Sequence, residues 1–179
     1  RAGLLLYGCH ILAAILLGLL LRRHGESAPA FAREAPRESF AAALPAAVKQ
    51  AVGAVLQVCG FVVCFTALTA LWEQWGLMGA MAGLLSRLSG QGADWCRALL
   101  AGILELGSGA AALRGLPPSP ANLALAAALL GWGGLSVHFQ TAALFADSEI
   151  KGALHPAGRL LAAAFAAALA FLFSVLLFS

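Results

Sequence analysis

The feature that most limits the fold of this chain is a series of apolar stretches, each about as long as a membrane-crossing helix. A helix needs roughly 20 predominantly apolar residues to cross a hydrocarbon core of ~30 Å, and residues 4–21, 46–72 and 159–178 reach or approach that length. Of the 179 residues, 61% are hydrophobic and 11% are charged, which is more apolar surface than a soluble core of this size can bury. The sequence therefore predicts an all-α polytopic integral membrane protein with about five transmembrane segments, some of them broken or re-entrant, and excludes soluble enzymes.

Charged and proline-rich segments divide the chain into three parts. Residues 1–21 are predicted to form a transmembrane helix, and the basic sequence RRH follows it. Because arginine and lysine favour the cytoplasmic side, residues 22–45 are predicted to be a cytoplasmic loop with a short surface helix. Ser39 and Pro45 are the candidate helix starts. Residues 46–179 are predicted to be a transmembrane domain.

The transmembrane domain is predicted to contain two spans with internal interruptions. Residues 94–113 form one, and a second begins near Ser119 or Asn122, either of which can cap it. That second span is broken at 131–134, by a kink in one crossing or by the tip of two half-helices. Residues 76–92 are apolar but too short to cross, so they are predicted to be re-entrant or interfacial, or an ordinary amphipathic surface helix.

Several kinds of site and partner are not expected from the composition. Four cysteines lie in apolar segments without the spacing of a metal site, so they are predicted to be small buried core residues. They are Cys9, Cys59, Cys64 and Cys96. No metal and no cofactor is expected. The net charge of +3 is spread between apolar spans, so no nucleic-acid partner is expected; the partner is the lipid bilayer.

One predicted span is interrupted where an interruption is costly. Its candidate site residues are Trp132, Gly133, Gly134, Ser136, His138 and Gln140. Unsatisfied polar groups in hydrocarbon cost several kcal/mol, so broken helices occur where they face protein or line a cavity. If this stretch is helical, Ser136 and Gln140 share a face and His138 points elsewhere; if it is extended, all three share a side. A half-helix starting near Gly134 would present free N–H groups to an anion such as a carboxylate.

The second interruption is the sequence ELGSG, which carries Glu105 and Ser108. Burial at membrane depth penalises the charged form of a carboxyl group, which suits proton coupling. The two residues are three apart and would share a helix face. The alternative is a structural Glu105 that pairs with Arg97 or Arg114.

The segments ELGSG, GGLSVHFQ and DSEIKG, the last followed by RLL, resemble the C-terminal half of the sporulation integral membrane protein YlbJ family, also called stage V sporulation protein V. The resemblance runs from about Ser39 to the C-terminus. It implies a nucleoside recognition or Gate-type domain and a role in moving dipicolinic acid across a forespore membrane. Family members have two Gate-like halves, whereas this chain covers one. The resemblance thus implies a second half, either another copy in a homodimer or an N-terminal part of a longer protein, of which this chain, starting at Arg1, would be a fragment.

The sequence as a whole predicts a transporter, or half of one, in a bacterial cell membrane. Its substrate would be a small anionic or heteroaromatic metabolite bound at the two interruptions. One alternative is a non-transporting membrane scaffold in which glycines serve helix packing. A remote alternative is an intramembrane serine protease with Ser108 as nucleophile and His138 as base. That alternative lacks an oxyanion-hole motif in the sequence, so no enzyme activity is expected.

Overall fold

The structure is a computed structural model and describes residues 2–22, 39–145 and 155–178. Within these ranges the secondary structure is helical without strands, which confirms the all-α prediction. The described helices are α1 (Ala2–Leu21), α2 (Phe40–Gln74), α3 (Leu77–Ser89), α4 (Ala93–Leu104), α5 (Leu106–Leu113), α6 (Pro120–Trp132), α7 (Gly134–Phe145) and α8 (His155–Phe178).

Four stretches of the described chain are long and apolar enough to cross a membrane. They are Ala2–Leu21, Phe40–Gln74, Pro120–Phe145 and His155–Leu176. Their apolar side chains are largely exposed, and the most apolar window of α2 contains no buried residue. Such a surface is unfavourable in water and favourable in lipid. The chain is therefore a polytopic membrane protein.

Helix α2 begins earlier than the predicted end of the first loop. Ser39, one of the two candidate helix starts predicted from the sequence, occupies its N-cap position with an extended backbone. Pro45 lies inside the helix, so residues 40–45 belong to α2 rather than to the loop. The predicted loop residues 23–38, with their surface helix, lie outside the described residues.

Residues 94–113 do not form the single span that the sequence predicted. They fold back as a hairpin of α4 and α5, with Glu105 at its tip. A Cβ atom added to Gly109 would lie 2.7 Å from the backbone nitrogen of Gly102, although these residues would be about 10 Å apart along one straight helix. Each helix alone is too short to cross a ~30 Å core. The prediction was wrong because a polar break in an apolar run does not indicate whether the chain continues or reverses.

Helix α3 is short, as predicted, and packs against α4. Glycines in the left-handed conformation, Gly76 and Gly90, bound it at both ends. Arg97 of α4 forms an ion pair with Glu73 at the end of α2, with 3.5 Å between Nε and Oε1. The end of α2 and helix α3 are thus held against α4, the first arm of the hairpin.

The break at Gly133 separates α6 from α7 without folding them onto each other. Gly133 and Gly134 have φ angles of 86° and 83°, which only glycine adopts without strain. Helix α6 packs mainly against α8, whereas α7 packs mainly against α2. The two helices thus pack against different neighbours, and this break is not the tip of a hairpin.

Small residues form the centre of the packing between α1, α6 and α8. The buried cluster there consists of Cys9, Ala13, Ala127, Ala166 and Ala170. Small side chains allow helix backbones to approach closely, which is how helices associate in lipid.

Cys9 and Cys96 are buried as predicted, but Cys59 and Cys64 are exposed on α2, because that helix has few protein neighbours. All four thiols are free.

Candidate functional site

Glu105 lies between α4 and α5 and caps α5 with its own side chain. Its carboxylate accepts hydrogen bonds from the backbone N–H of Gly107 (2.7 Å) and Ser108 (2.6 Å) and from the Ser108 hydroxyl (3.0 Å). Only 5% of Glu105 is exposed. The first N–H groups of a helix have no partner within the helix and carry positive partial charge. The Glu105 carboxylate satisfies two of them and also bonds the Ser108 hydroxyl. The two residues do not share a helix face as predicted, because Glu105 has an extended backbone at the N-cap position outside α5.

The alternative ion pairs predicted for Glu105 are not found among the described residues. Arg97 pairs with Glu73 instead, and Arg114 is the C-cap residue of α5, at the opposite end from Glu105. The structural contribution of Glu105 is therefore helix capping rather than an ion pair. Its hydrogen bond from Ser108 also means that this hydroxyl donates to a carboxylate and not to His138.

The two interruptions meet in space. The indole Nε1–H of Trp132 donates to the carbonyl oxygen of Ile103 at 3.2 Å. A Cβ atom added to Gly134 would lie 3.0 Å from the backbone nitrogen of Leu106 and 3.1 Å from the Cα of Glu105. The glycine at the start of α7 therefore sits directly on the hairpin tip, and any side chain there would separate the two breaks.

Arg159 of α8 holds the end of α6. Its Nε donates to the carbonyl oxygen of Trp132 and its Nη2 to that of Leu130, both at 3.2 Å. The last carbonyls of a helix lack partners within the helix and carry negative partial charge, so a guanidinium complements both. Arg159 was not among the site residues predicted from the sequence, which singled out 159–178 only as an apolar stretch. The available signal was an arginine one turn inside an apolar helix, where a charge needs a partner.

Helix α7 decides between the two arrangements left open for its polar residues. Because the segment is helical from Gly134 onward, Ser136 and Gln140 lie together on a buried face, 1% and 9% exposed. His138 points elsewhere. Its ring lies against that of Trp132, with 4.1 Å between centroids, and edge-on to that of His155 at 5.3 Å.

His138 is the polar side chain at the breaks with unmet hydrogen-bonding capacity. Both of its ring nitrogens are buried and lack a hydrogen-bond partner among the described residues. His155, which contacts it, was not among the site residues predicted from the sequence. We call Trp132, His138, His155 and Arg159 the His138 cluster.

The polar residues predicted to line one site do not all meet. Glu105 and Ser108 bond to each other at the hairpin tip, while Trp132 and His138 belong to the His138 cluster. No hydrogen bond among the described residues joins the Glu105 carboxylate to Ser136, His138 or Gln140. The backbones of the two breaks are in contact, while Ser136 and Gln140 lie on the buried face of α7.

The helix ends at the breaks differ in how they are capped. Glu105 caps α5, Arg159 caps α6, and the Trp132 indole meets a terminal carbonyl of α4. Helix α7 starts after Gly133, which has no side chain, and no described side chain bonds to its first N–H groups. Among the described residues, the start of α7 is thus the positive helix end at this site that no side chain caps.

The fold and these breaks define a class: a polytopic membrane protein with a helical hairpin whose tip meets a broken helix. Comparison with protein-family models, with curated proteins and with solved structures finds no significant match to this chain. The resemblance to the YlbJ family accordingly stays a prediction carried by the motifs. Among the described residues, no group of three His, Cys, Asp or Glu side chains is placed to hold a metal ion.

Trp132→Phe tests whether the indole bond joins the two breaks. The variant keeps an aromatic ring beside His138 and removes the N–H donor, so we expect a loss of about 1 kcal/mol in unfolding free energy. Thermal unfolding in detergent measures it. Trp75→Phe is the matched control, because Trp75 is 70% exposed, and it should be neutral. Equal stability of both variants would mean that the bond to Ile103 contributes nothing.

Proposed function

We propose that this chain is a membrane transporter, or half of one, for a small anionic or heteroaromatic metabolite. The observation that carries the proposal is the contact between two broken helices, with Gly134 against the backbone of Glu105 and Leu106. Secondary transporters bind substrate where discontinuous helices meet, because half-helix ends there offer backbone groups and dipoles to the ligand. The tip of the α4–α5 hairpin lies against the start of α7, and the start of α7 is the helix end here that no described side chain caps.

The chemistry of the site favours a planar anion. The uncapped start of α7 favours a carboxylate, and the unpartnered nitrogens of His138 can donate and accept hydrogen bonds. The Trp132 ring offers a face for stacking an aromatic ring, and Ser136 and Gln140 add polar groups on α7. Dipicolinic acid, the substrate implied by the YlbJ resemblance, is a planar pyridine with two carboxylates and matches these features.

Glu105 is the residue through which the proposed transport of the anion is coupled to a proton. A substrate carboxylate at the start of α7 would lie close to the Glu105 carboxylate, since Gly134 contacts the Cα of that residue. Two like charges at such a distance in a medium of low dielectric repel strongly. Uptake of a proton by Glu105 removes the repulsion and weakens its bonds to Gly107 and Ser108. Proton and anion would therefore cross together.

The second Gate-like half belongs to the same proposal. It would come from another copy of this chain or from a missing N-terminal part. The exposed apolar surface of α2 is available for such a partner as well as for lipid. The location proposed is the bacterial cell membrane, with the forespore membrane as the case that the resemblance implies.

Binding of dipicolinate to the purified protein in detergent tests the proposal, with nucleosides as comparison ligands. We expect saturable dipicolinate binding that Gln140→Ala weakens by about tenfold, the equivalent of one lost hydrogen bond. Glu105→Gln, which is neutral like the protonated carboxyl, should bind dipicolinate at least as tightly as wild type and should abolish any dependence of binding on proton uptake at this position. Gln57→Ala on α2, away from both breaks, is the matched control and should bind normally.

The scaffold alternative has one specific observation in its favour. Glu105 and Arg159 cap their helices within the chain, as structural residues would. A scaffold predicts that Glu105→Gln and Gln140→Ala leave function intact, while Gly133→Leu prevents folding because of its left-handed backbone. If folded protein binds no ligand even with a second half supplied, the transport proposal fails and the scaffold is preferred.

A further inference from the structure

We propose that the groove between α1 and α8 binds an anionic phospholipid, with the lipid phosphate beside His155 and Arg159. The groove has a volume of ≈ 380 Å³, which is within the range of small-molecule sites. Its polar lining residues are His10, His155 and Arg159. The groove adjoins the substrate site proposed above, because His155 contacts His138, but the inference does not depend on transport.

The charge of the groove is positive and lacks a counter-ion among the described residues. Arg159 uses two of its five N–H donors on the carbonyls of α6 and has no carboxylate partner in the described ranges. None of the residues that line the groove is acidic. A guanidinium on a membrane-spanning helix without an opposing charge is costly, and a bound anion removes that cost.

A second polar group in the groove is also unpartnered. The Nδ1 atom of His10 is buried and has no hydrogen-bond partner among the described residues. His155 and Arg159 are four residues apart on α8, so they lie on one face, about 6 Å apart along the helix axis. A phosphate beside these two residues leaves His10 on the opposite wall for the oxygens of the glycerol and ester groups.

The rest of the lining distinguishes a lipid from a free anion. The remaining residues are apolar or small, and they are Ala13, Ala14, Leu17, Gly18, Leu21, Gly158 and Ala162. A free phosphate or carboxylate would leave most of this surface without a partner. An acyl chain running along it buries apolar surface on both sides, so the mixed lining fits an amphipathic ligand.

The position of the groove favours an anionic headgroup. Helices α1 and α8 run antiparallel, because Cys9 and Ala13 pack against Ala166 and Ala170 while Leu21 shares the groove with His155. The basic end of the groove thus lies at the end of α1, where the sequence predicts the cytoplasmic side. Basic pockets between transmembrane helices on that side bind anionic lipid headgroups, since the cytoplasmic leaflet is rich in them.

The test measures lipid binding to the purified full chain in detergent by native mass spectrometry. Phosphatidylglycerol, phosphatidylcholine with the same acyl chains, and inorganic phosphate are titrated separately. We expect saturable binding of phosphatidylglycerol, at least tenfold tighter than that of phosphatidylcholine. Inorganic phosphate should bind far more weakly than either, because it makes no apolar contact.

Gly18→Leu is the variant that blocks the groove without removing a charge. A Cβ atom added to Gly18 meets nothing within 4 Å, so the leucine can occupy the groove without disturbing the protein. Phosphatidylglycerol binding should fall at least tenfold. Gly8→Leu, on the same helix and equally unobstructed but outside the groove, should bind like wild type. His155→Ala should reduce the preference for phosphatidylglycerol over phosphatidylcholine.

Three results would overturn the proposal. The first is equal binding of the two lipids, which would remove the role of the basic residues. The second is unchanged lipid binding in Gly18→Leu, which would place the lipid elsewhere. The third is inorganic phosphate that binds as tightly as phosphatidylglycerol, which would make this a site for a free anion.

Discussion

Gly131→Ala is expected to reduce the unfolding free energy by at least about 3 kcal/mol, the upper end of what overpacking usually costs. A Cβ atom at this position would lie 2.7 Å from the backbone nitrogen of Ala163 and 3.1 Å from the carbonyl carbon of Ala162. These are backbone atoms of α8, and no rotamer change can move them away. The methyl group must push α6 from α8 along the largest helix contact in the described chain.

Thermal or denaturant unfolding in detergent measures this effect. Gly60→Ala on α2 is the matched control, because a Cβ atom there meets nothing within 4 Å. The control should be neutral or gain up to about 1 kcal/mol from the higher helix propensity of alanine. If Gly131→Ala is as stable as Gly60→Ala, the close approach of α6 and α8 is wrong.

Arg159→Met is expected to have the second-largest effect, a loss of about 3 kcal/mol. The substitution keeps a long apolar side chain but removes both donors from the carbonyls of Leu130 and Trp132. Hydrogen bonds from a charged group contribute roughly 1.5–3 kcal/mol each. The end of α6 should loosen, and with it the contact between the two breaks.

The controls for Arg159→Met separate the charge from its geometry. Arg159→Lys keeps the charge but cannot reach two carbonyls in the fork geometry of arginine, so an intermediate loss is expected. Arg87→Met, on the exposed surface at the end of α3, should change stability by less than about 0.5 kcal/mol. Unfolding is measured without added anionic lipid, so that groove binding does not contribute. An Arg159→Met protein as stable as Arg87→Met would show that the cap is unimportant.

The sequence by itself determined the features that depend on local composition. The membrane character follows from the length of the apolar stretches, since no soluble arrangement buries so much apolar surface. Ser39 and Ser119, each one of two predicted candidates, occupy the N-cap positions of α2 and α6. The Ser119 side chain caps its helix, which depends only on the few residues that follow. Both breaks, at Glu105 and at Gly133, are found at the predicted positions, since polar groups and adjacent glycines interrupt an apolar helix locally.

Only the tertiary structure decided how these local elements combine. The reversal between α4 and α5 depends on the close approach of Gly102 and Gly109, which are both inconspicuous in an apolar run. The exposure of Cys59 and Cys64 likewise depends on how few helices surround α2. A sequence pattern reports whether a side chain is apolar, but not whether protein or lipid will cover it.

The contact between the two breaks and the capping of α6 by Arg159 both depend on residues far apart in the sequence. The sequence showed that each break leaves unsatisfied backbone groups, because that follows from helix geometry. It did not show which distant residue would satisfy them. That choice was made by the packing of α6 against α8, which brings a guanidinium 27 residues away to the carbonyl of Trp132. The local sequence therefore determined that the last carbonyls of α6 need hydrogen-bond donors. Only the packing of α6 against α8, where small residues let the two backbones approach closely, determined that Arg159 supplies them.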